Sequence, residues 1–273
     1  MSNPMLKKPS LVSSLAQQFL SRLTRADIKK ANLPLNTSPM FVTLTGVDAS
    51  VGLSTLESLS EQFPFAEWAV LYSPKHTGRE NRYPPVSTLH KVFSALRSVH
   101  VALHICGDGI GDLLERKPEV TKLVEMIAAR SGRVQLNFNQ ARKQFDLEKF
   151  SCLMNEFPSV VFITQHHNAN KDVWKALRDI KNHAVLFDSS GGRGIEQNNW
   201  PASFDGVFCG YAGGLGPTRI TEELPKIAVA ARGTPFWIDM ETRIRNEDDL
   251  FDIQRATMCL KEAEAFASQR QAI

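Results

Sequence analysis

Eight short apolar, β-branched runs, each followed by a polar or glycine-rich segment and then by helical periodicity, predict an α/β chain folded as a single (β/α)8 TIM barrel with an N-terminal helical extension. The runs are Phe41 to Leu44, Trp68 to Leu71, Val101 to Ile105, Val134 to Leu136, Val160 to Thr164, Ala184 to Phe187, Gly206 to Cys209 and Phe236 to Ile238. They start roughly 22 to 33 residues apart, room for one strand, one helix and two loops. An open doubly wound sheet uses the same unit. Eight units, however, let the sheet close and leave nothing over between about residues 40 and 273.

Residues 1–39 form a separate extension. Six Lys and Arg (Lys7, Lys8, Arg22, Arg25, Lys29, Lys30) stand there against Asp27 alone, a net +5. Leu11, Leu15, Phe19, Leu20 and Leu23 have the spacing of a helix capping the body. A basic, Ser-rich, acid-poor arm also suits an organellar presequence.

The elements of the barrel, residues 40–273, follow in order. Ser54 with Glu57 has capping-box spacing and predicts a helix start ahead of Leu56 and Leu59. Pro118 suits the first turn of a helix carrying Val120, Leu123, Val124 and Ile127 on one face. Leu147, Phe150, Leu153 and Met154 make a second face; Val173, Leu177 and Ile180 a third; Leu224, Ile227 and Ala228 a fourth. Asn246 with Asp249 predicts the opening of the last helix, with Leu250, Ile253, Met258 and Leu260 towards the sheet.

Composition narrows the function classes. With 42% hydrophobic and 22% charged residues the chain is that of a folded globular protein. The overall charge of +3 resides in the arm, so the body, near −2, lacks the basic stripe of a nucleic-acid binder. No apolar run reaches the length of a membrane helix. Cys106, Cys152, Cys209 and Cys259 have no paired spacing for zinc or redox chemistry and read as reduced thiols in a cytoplasmic protein. His166 and His167 have no third ligand placed by spacing, so no metal is expected. No cofactor is implied, and the sequence sets no oligomeric state.

In a barrel of this kind chemistry gathers at the C-terminal ends of the strands. Two loops stand out there. Asp188-Ser-Ser-Gly-Gly-Arg-Gly194 places a carboxylate at the sixth strand end, followed by Gly191, Gly192 and Gly194. Tyr211-Ala-Gly-Gly-Leu-Gly-Pro217 places Ala212, Gly213 and Gly214 after the seventh strand, ahead of a helix. Glycine loops let backbone N–H groups converge on phosphate. A plain turn tolerates the same residues, with Asp188 as a helix cap.

These residues resemble the phosphoribosylanthranilate isomerases, single-domain barrels of tryptophan biosynthesis. The family has an L-L-D-S segment followed by G-G-x-G, and an A-G-G-L segment followed by x-P. Here they read Leu186-Phe187-Asp188-Ser189 with Gly191-Gly192-Arg193-Gly194, and Ala212-Gly213-Gly214-Leu215-Gly216-Pro217. Gln135-Leu136-Asn137 is similar to a strand-four Q-L-H. Tyr72-Ser-Pro74 and Asn81-Arg-Tyr83 look like a strand-two loop whose arginine approaches substrate. The resemblance covers roughly residues 40 to 265.

It implies an Amadori-type isomerisation of a phosphorylated aminoaldose. Asp188 would be the general acid, the two glycine loops would hold phosphate, and Arg82, Gln135, Asn137 and Asp239 would contact the small anionic substrate. The family's base is a cysteine at the first strand end, where this chain has Thr45. A threonine hydroxyl supplies no ready alkoxide near neutral pH. Asp48 and Cys106 are the first substitute bases to consider, followed by His104, His166 and His167. After strand eight, Asp239-Met-Glu-Thr-Arg-Ile-Arg245 keeps the aspartate but lacks the family's Ser-Gly pair. Glu241 would repel phosphate there, while Arg243 or Arg245 could clamp it. Three readings follow: an isomerase of this type, a non-catalytic barrel that binds a ligand or partner, and a lyase or epimerase using the same phosphate loops.

Overall fold

The computed structural model describes residues 38–96, 98–188, 196–197 and 199–271 of the 273-residue chain. The expectations placed on the arm and on Gly191, Gly192 and Gly194 lie outside the described residues. Eight strands, β1 (Phe41–Thr45), β2 (Ala66–Tyr72), β3 (His100–Cys106), β4 (Arg133–Asn137), β5 (Val161–His166), β6 (His183–Phe187), β7 (Phe208–Ala212) and β8 (Phe236–Met240), pair in sequence order as a closed parallel barrel. β8 returns to β1, with Phe41 opposite Trp237 and Leu44 opposite Met240.

The helices among the described residues are α1 (Leu53–Gln62), α2 (Val86–Ala95), α3 (Asp108–Leu114), α4 (Pro118–Ala128), α5 (Leu147–Glu156), α6 (Val173–Leu177), α7 (Ile220–Ala230) and α8 (Ile253–Gln271). Among them none is long and apolar enough to cross a membrane.

Most strands run one or two residues beyond the expected runs, as β2 does from Ala66, and three other boundaries have a local cause. α1 begins at Leu53 after Gly52, with no side-chain cap, so Ser54 lies inside its first turn. α8 begins at Ile253, because Asp252 accepts the N–H groups of Gln254 and Arg255, both at 3.0 Å. Asn246 instead accepts from the N–H groups of Asp248 and Leu250 in the preceding loop. Met258 therefore points outward, 54% exposed. β7 starts two residues late because Gly206, with φ of 73°, still belongs to the turn.

Side-chain alternation divides the interior into two cores. Outward residues such as Trp68, Val70, Val101, Leu103, Phe187 and Tyr211 pack under the helices. Inside the bore, Phe41, Ile163, Ala184, Leu186, Phe208 and Trp237 form a second apolar cluster, contributed mainly by β5 to β8. Trp237 takes this space because β7 has no side chain at Gly210, where a Cβ would stand 2.0 Å from the indole. The β1 to β4 side of the bore is polar. Arg133 Nε donates to Glu67 Oε1 at 2.8 Å, Nη2 donates to Thr43 Oγ1 at 2.8 Å, and the guanidinium lies over Phe41 and Trp237 at 4.8 and 4.6 Å. Burial favours the neutral Glu67 acid, but Arg133 outweighs it and holds the carboxyl below its usual range.

Candidate active site

Above this floor the C-terminal strand ends surround about 50 Å³ of enclosed space, within a mouth of about 500 Å³ that opens to solvent. Its lining includes Thr45, His104, Gln135, Asn137, Gln165, Asp188, Ala212, Gly213, Gly214, Asp239, Glu241 and Arg243. A wider, more open hollow between α1 and α8 is lined by hydroxyl and amide side chains with Lys261 as its one charged residue.

Strand register brings the chemistry together. Thr45 at the end of β1 donates its hydroxyl to Asp239 Oδ1 of β8 at 2.7 Å. Burial, with the nearby Glu241 charge adding to it, pushes the Asp239 carboxyl up to about 8 despite the Thr45 hydrogen bond. His104 Nε2 lies 3.9 Å from Asp239 Oδ2, too far for a hydrogen bond. Burial lowers the His104 imidazole to about 3, so it is neutral at physiological pH. Across the mouth, Gln165 Nε2 donates to Asp188 Oδ2 at 3.2 Å. Gln135 Nε2 donates to Asn137 Oδ1 at 2.9 Å.

The glycine loop after β7 also lies here. Gly213 and Gly214 have φ of 133° and 66°, conformations that favour glycine. A Cβ on Gly214 would stand 2.9 Å from Glu196 Cα. Glu196 itself bridges Arg243, at 2.6 Å, and Arg219, at 3.5 Å.

Other candidates are placed elsewhere. Asp48 is buried but does not line the cavity: its Oδ2 accepts from Arg245 Nη2 at 2.9 Å and Phe251 N at 2.8 Å, and its Oδ1 from Ser50 N at 3.0 Å. It fastens the β1 loop to the segment before α8, and Arg245 is committed to the same junction. Cys106 receives an N–H from Asn137, with Nδ2 3.4 Å from its sulfur. Burial pushes its thiol up to about 12, so it holds its proton near neutrality. His166 packs edge-on against Phe187 and Phe204, and His167 accepts the N–H of Ala169; neither lines the cavity. Arg82 is clamped: Nε and Nη2 donate to Asp249 at 3.0 and 2.6 Å, and Nη1 to Glu241 at 2.8 Å.

No protein-family model matches the chain, and no curated protein matches it. Solved structures do. A phosphoribosylanthranilate isomerase from Thermus thermophilus superposes with TM-score 0.54 at 17% identity, over 83% of this chain and 99% of that one. Another, solved with reduced 1-(o-carboxyphenylamino)-1-deoxyribulose 5-phosphate, gives 0.52 at 14%, over 83% and 99%. The chain has the fold of the phosphoribosylanthranilate isomerases. That barrel is shared more widely: a phospho-2-dehydro-3-deoxyheptonate aldolase from Thermotoga maritima matches with TM-score 0.50 at 13% identity, over 84% of this chain and 70% of that one. The fold sets where chemistry can sit, and the side chains at the mouth decide which chemistry it is.

Two features escaped the sequence reading. The Thr45–Asp239 pair joins residues 194 apart, and only closure of β8 onto β1 makes them neighbours. The other is the hydrogen bond from Gln165 to Asp188, at which strand parity hints, since Ile163 two positions before Gln165 faces the bore.

Proposed function

We propose that the chain is an intramolecular isomerase that opens a phosphorylated aminoaldose and converts it to the aminoketose, with Asp188 as the acid and Asp239 as the base. The observation that carries this reading is the pairing of Thr45 with a buried Asp239 in the same cavity as Asp188. Asp188 protonates the ring oxygen, the C1–O bond breaks, and the nitrogen lone pair forms the C1=N bond. Asp239 then takes the C2 proton, and the electron pair moves to give the enaminol. Reprotonation at C1 and loss of the C2 hydroxyl proton complete the aminoketose. Thr45 cannot replace a thiolate, but its hydroxyl fixes the orientation of Asp239 Oδ1. The Gly213 and Gly214 N–H groups hold the phosphate, with Arg243 beside them once Glu196 is displaced.

A carboxylate titrating near 8 acts as a base only when ionised, so ionisation of Asp239 should give the kcat/KM profile a limb that rises with pH through about 8. Purified protein is to be assayed for ketose formation with a panel of N-substituted phosphoribosylamines, the anthranilate included. Asp188→Asn and Asp239→Asn should each lower kcat by at least about 100-fold while ligand-induced thermal stabilisation persists. Turnover by both variants at the unmutated rate would refute the assignment. Ligand binding with no turnover of any member would favour a barrel that binds without reacting, the reading that Thr45 also permits.

A further inference from the structure

Among the described residues one imidazole lines the cavity, that of His104 on β3, and a neighbour fixes its tautomer. Gln135 Nε2 carries two hydrogens: one goes to Asn137 Oδ1 at 2.9 Å and the other to His104 Nδ1 at 3.4 Å. An amide nitrogen only donates, so Nδ1 accepts, and the proton of the neutral ring sits on Nε2. Burial keeps that ring neutral at physiological pH.

This Nε2–H has no acceptor. His104 is 1% exposed, its Nε2 makes no hydrogen bond among the described residues, and Asp239 Oδ2 lies 3.9 Å away. On the adjacent strand β4, at the register position opposite His104, Gln135 Oε1 is likewise buried without a partner. Buried polar groups of this kind are ordinarily satisfied. Neighbouring strands thus present one unpaired donor and one unpaired acceptor to the same cavity. A hydroxyl group both accepts and donates, whereas an ammonium group only donates and a carboxylate only accepts.

We infer, resting on the isomerase reading above, that His104 touches the substrate: its Nε2–H holds the oxygen on C2, so the site selects phosphorylated sugars that carry a hydroxyl on the carbon losing its proton. The separation of Nε2 from Asp239 Oδ2 lets one sugar carbon present its oxygen to the imidazole and its hydrogen to the ionised carboxylate. That oxygen becomes the carbonyl oxygen of the ketose, and a fixed N–H beside it favours the C=O bond while the imidazole keeps its own proton. Gln135 Oε1 accepts from a sugar hydroxyl.

Titration calorimetry of the full chain with ribose 5-phosphate and 2-deoxyribose 5-phosphate tests this, because the pair differs only in the C2 oxygen. Ribose 5-phosphate is expected to bind at least about ten-fold tighter. His104→Leu should shrink that preference to about three-fold or less while leaving 2-deoxyribose 5-phosphate nearly unaffected, whereas His104→Gln, which puts an amide N–H near the position of Nε2, should keep most of it. Equal binding of the pair to the unmutated chain, or a His104→Leu variant that weakens both ligands alike and keeps the preference, overturns the inference. If the variants do not fold, long-range proton–nitrogen NMR of the unmutated chain decides. A His104 proton on Nε2, with a nitrogen shift on adding ribose 5-phosphate and none with the 2-deoxy compound, supports the assignment; a proton on Nδ1, or the same shift with both sugars, overturns it. Inorganic phosphate separates the two levels: if it and both sugar phosphates bind and the pair is equal, the phosphosugar reading stands and the His104 inference alone falls. If no phosphorylated compound binds, the phosphosugar reading falls and takes the inference with it.

Discussion

Replacing Asp239 by asparagine should stabilise the protein, and the gain should depend on pH in a defined direction. The Asp239 carboxyl lies almost wholly out of solvent, 5% exposed, and burial raises it from 3.8 to about 8. Below the lower value both folded and unfolded chains carry the proton, and pH has no effect through this group. Between the two values the unfolded chain is ionised while the folded chain holds its proton, so stability falls as pH rises. Above about 8 both states are ionised and the full cost of the buried charge is present. Roughly four units at about 1.4 kcal/mol each set a ceiling of about 6 kcal/mol. Water entry and side-chain adjustment reduce it, and a gain of about 2 kcal/mol at alkaline pH is expected. Asparagine keeps an oxygen for the Thr45 hydroxyl and carries no charge at any pH. Urea unfolding of both proteins, followed by tryptophan fluorescence from about pH 4.5 to about pH 9, measures the difference. The other titrating groups cancel between the two chains. A difference that is flat with pH, or a variant progressively less stable than the original towards pH 9, would refute the account of Asp239 as a strained, high-pKa carboxyl.

Three further outcomes are expected. Asp48→Ala should cost about 3–5 kcal/mol in urea unfolding, because it leaves Arg245, itself 3% exposed, buried without its carboxylate; a loss under about 1 kcal/mol would contradict the junction described for it. Gly210→Ala should cost at least about 1–3 kcal/mol through the clash with Trp237, and Trp237→Phe should recover part of that loss; an unchanged urea midpoint for the single variant would mean that the bore is looser than described. Of the four thiols, exposed Cys152 should react fast with an aromatic disulfide reagent near neutral pH, while Cys106, Cys209 and Cys259, pushed up to about 12 by burial, react slowly; a second fast thiol before unfolding would count against that burial.

The barrel was legible because its strands are buried on both faces and so read as short, dense apolar runs with helical periodicity between them. What shifted were ends decided by single hydrogen bonds. Asp252 and Asn246 are both plausible helix caps in sequence; only the folded loop shows that Asp252 receives the two helix N–H groups while Asn246 closes the turn before it. The position of Asp188 could likewise be read, because it follows β6 directly, and so could the inward set Thr45, Gln135 and Asn137. The pairings across strands could not be read: Thr45 of β1 meets Asp239 of β8, and Gln165 of β5 meets Asp188 after β6.

Asp48 and Asp239 show why position along the chain does not rank two carboxylates. Asp48 lies three residues beyond Thr45, in the loop where a substitute base was sought, yet Arg245 and the Phe251 N–H claim its Oδ2. Asp239 is nearly two hundred residues from Thr45, yet closure of the sheet sets it 2.7 Å from the hydroxyl. Asp48 has a cation and backbone donors; for Asp239 the charge that acts most strongly is the acidic Glu241, and the imidazole of His104 beside it is neutral. A carboxylate satisfied in the first way holds loops together, whereas one left in the second way keeps a proton it can exchange near physiological pH. On the proposed reading, Thr45 at the first strand end leaves proton abstraction to Asp239, because closure of the barrel sets that ionisable group beside it.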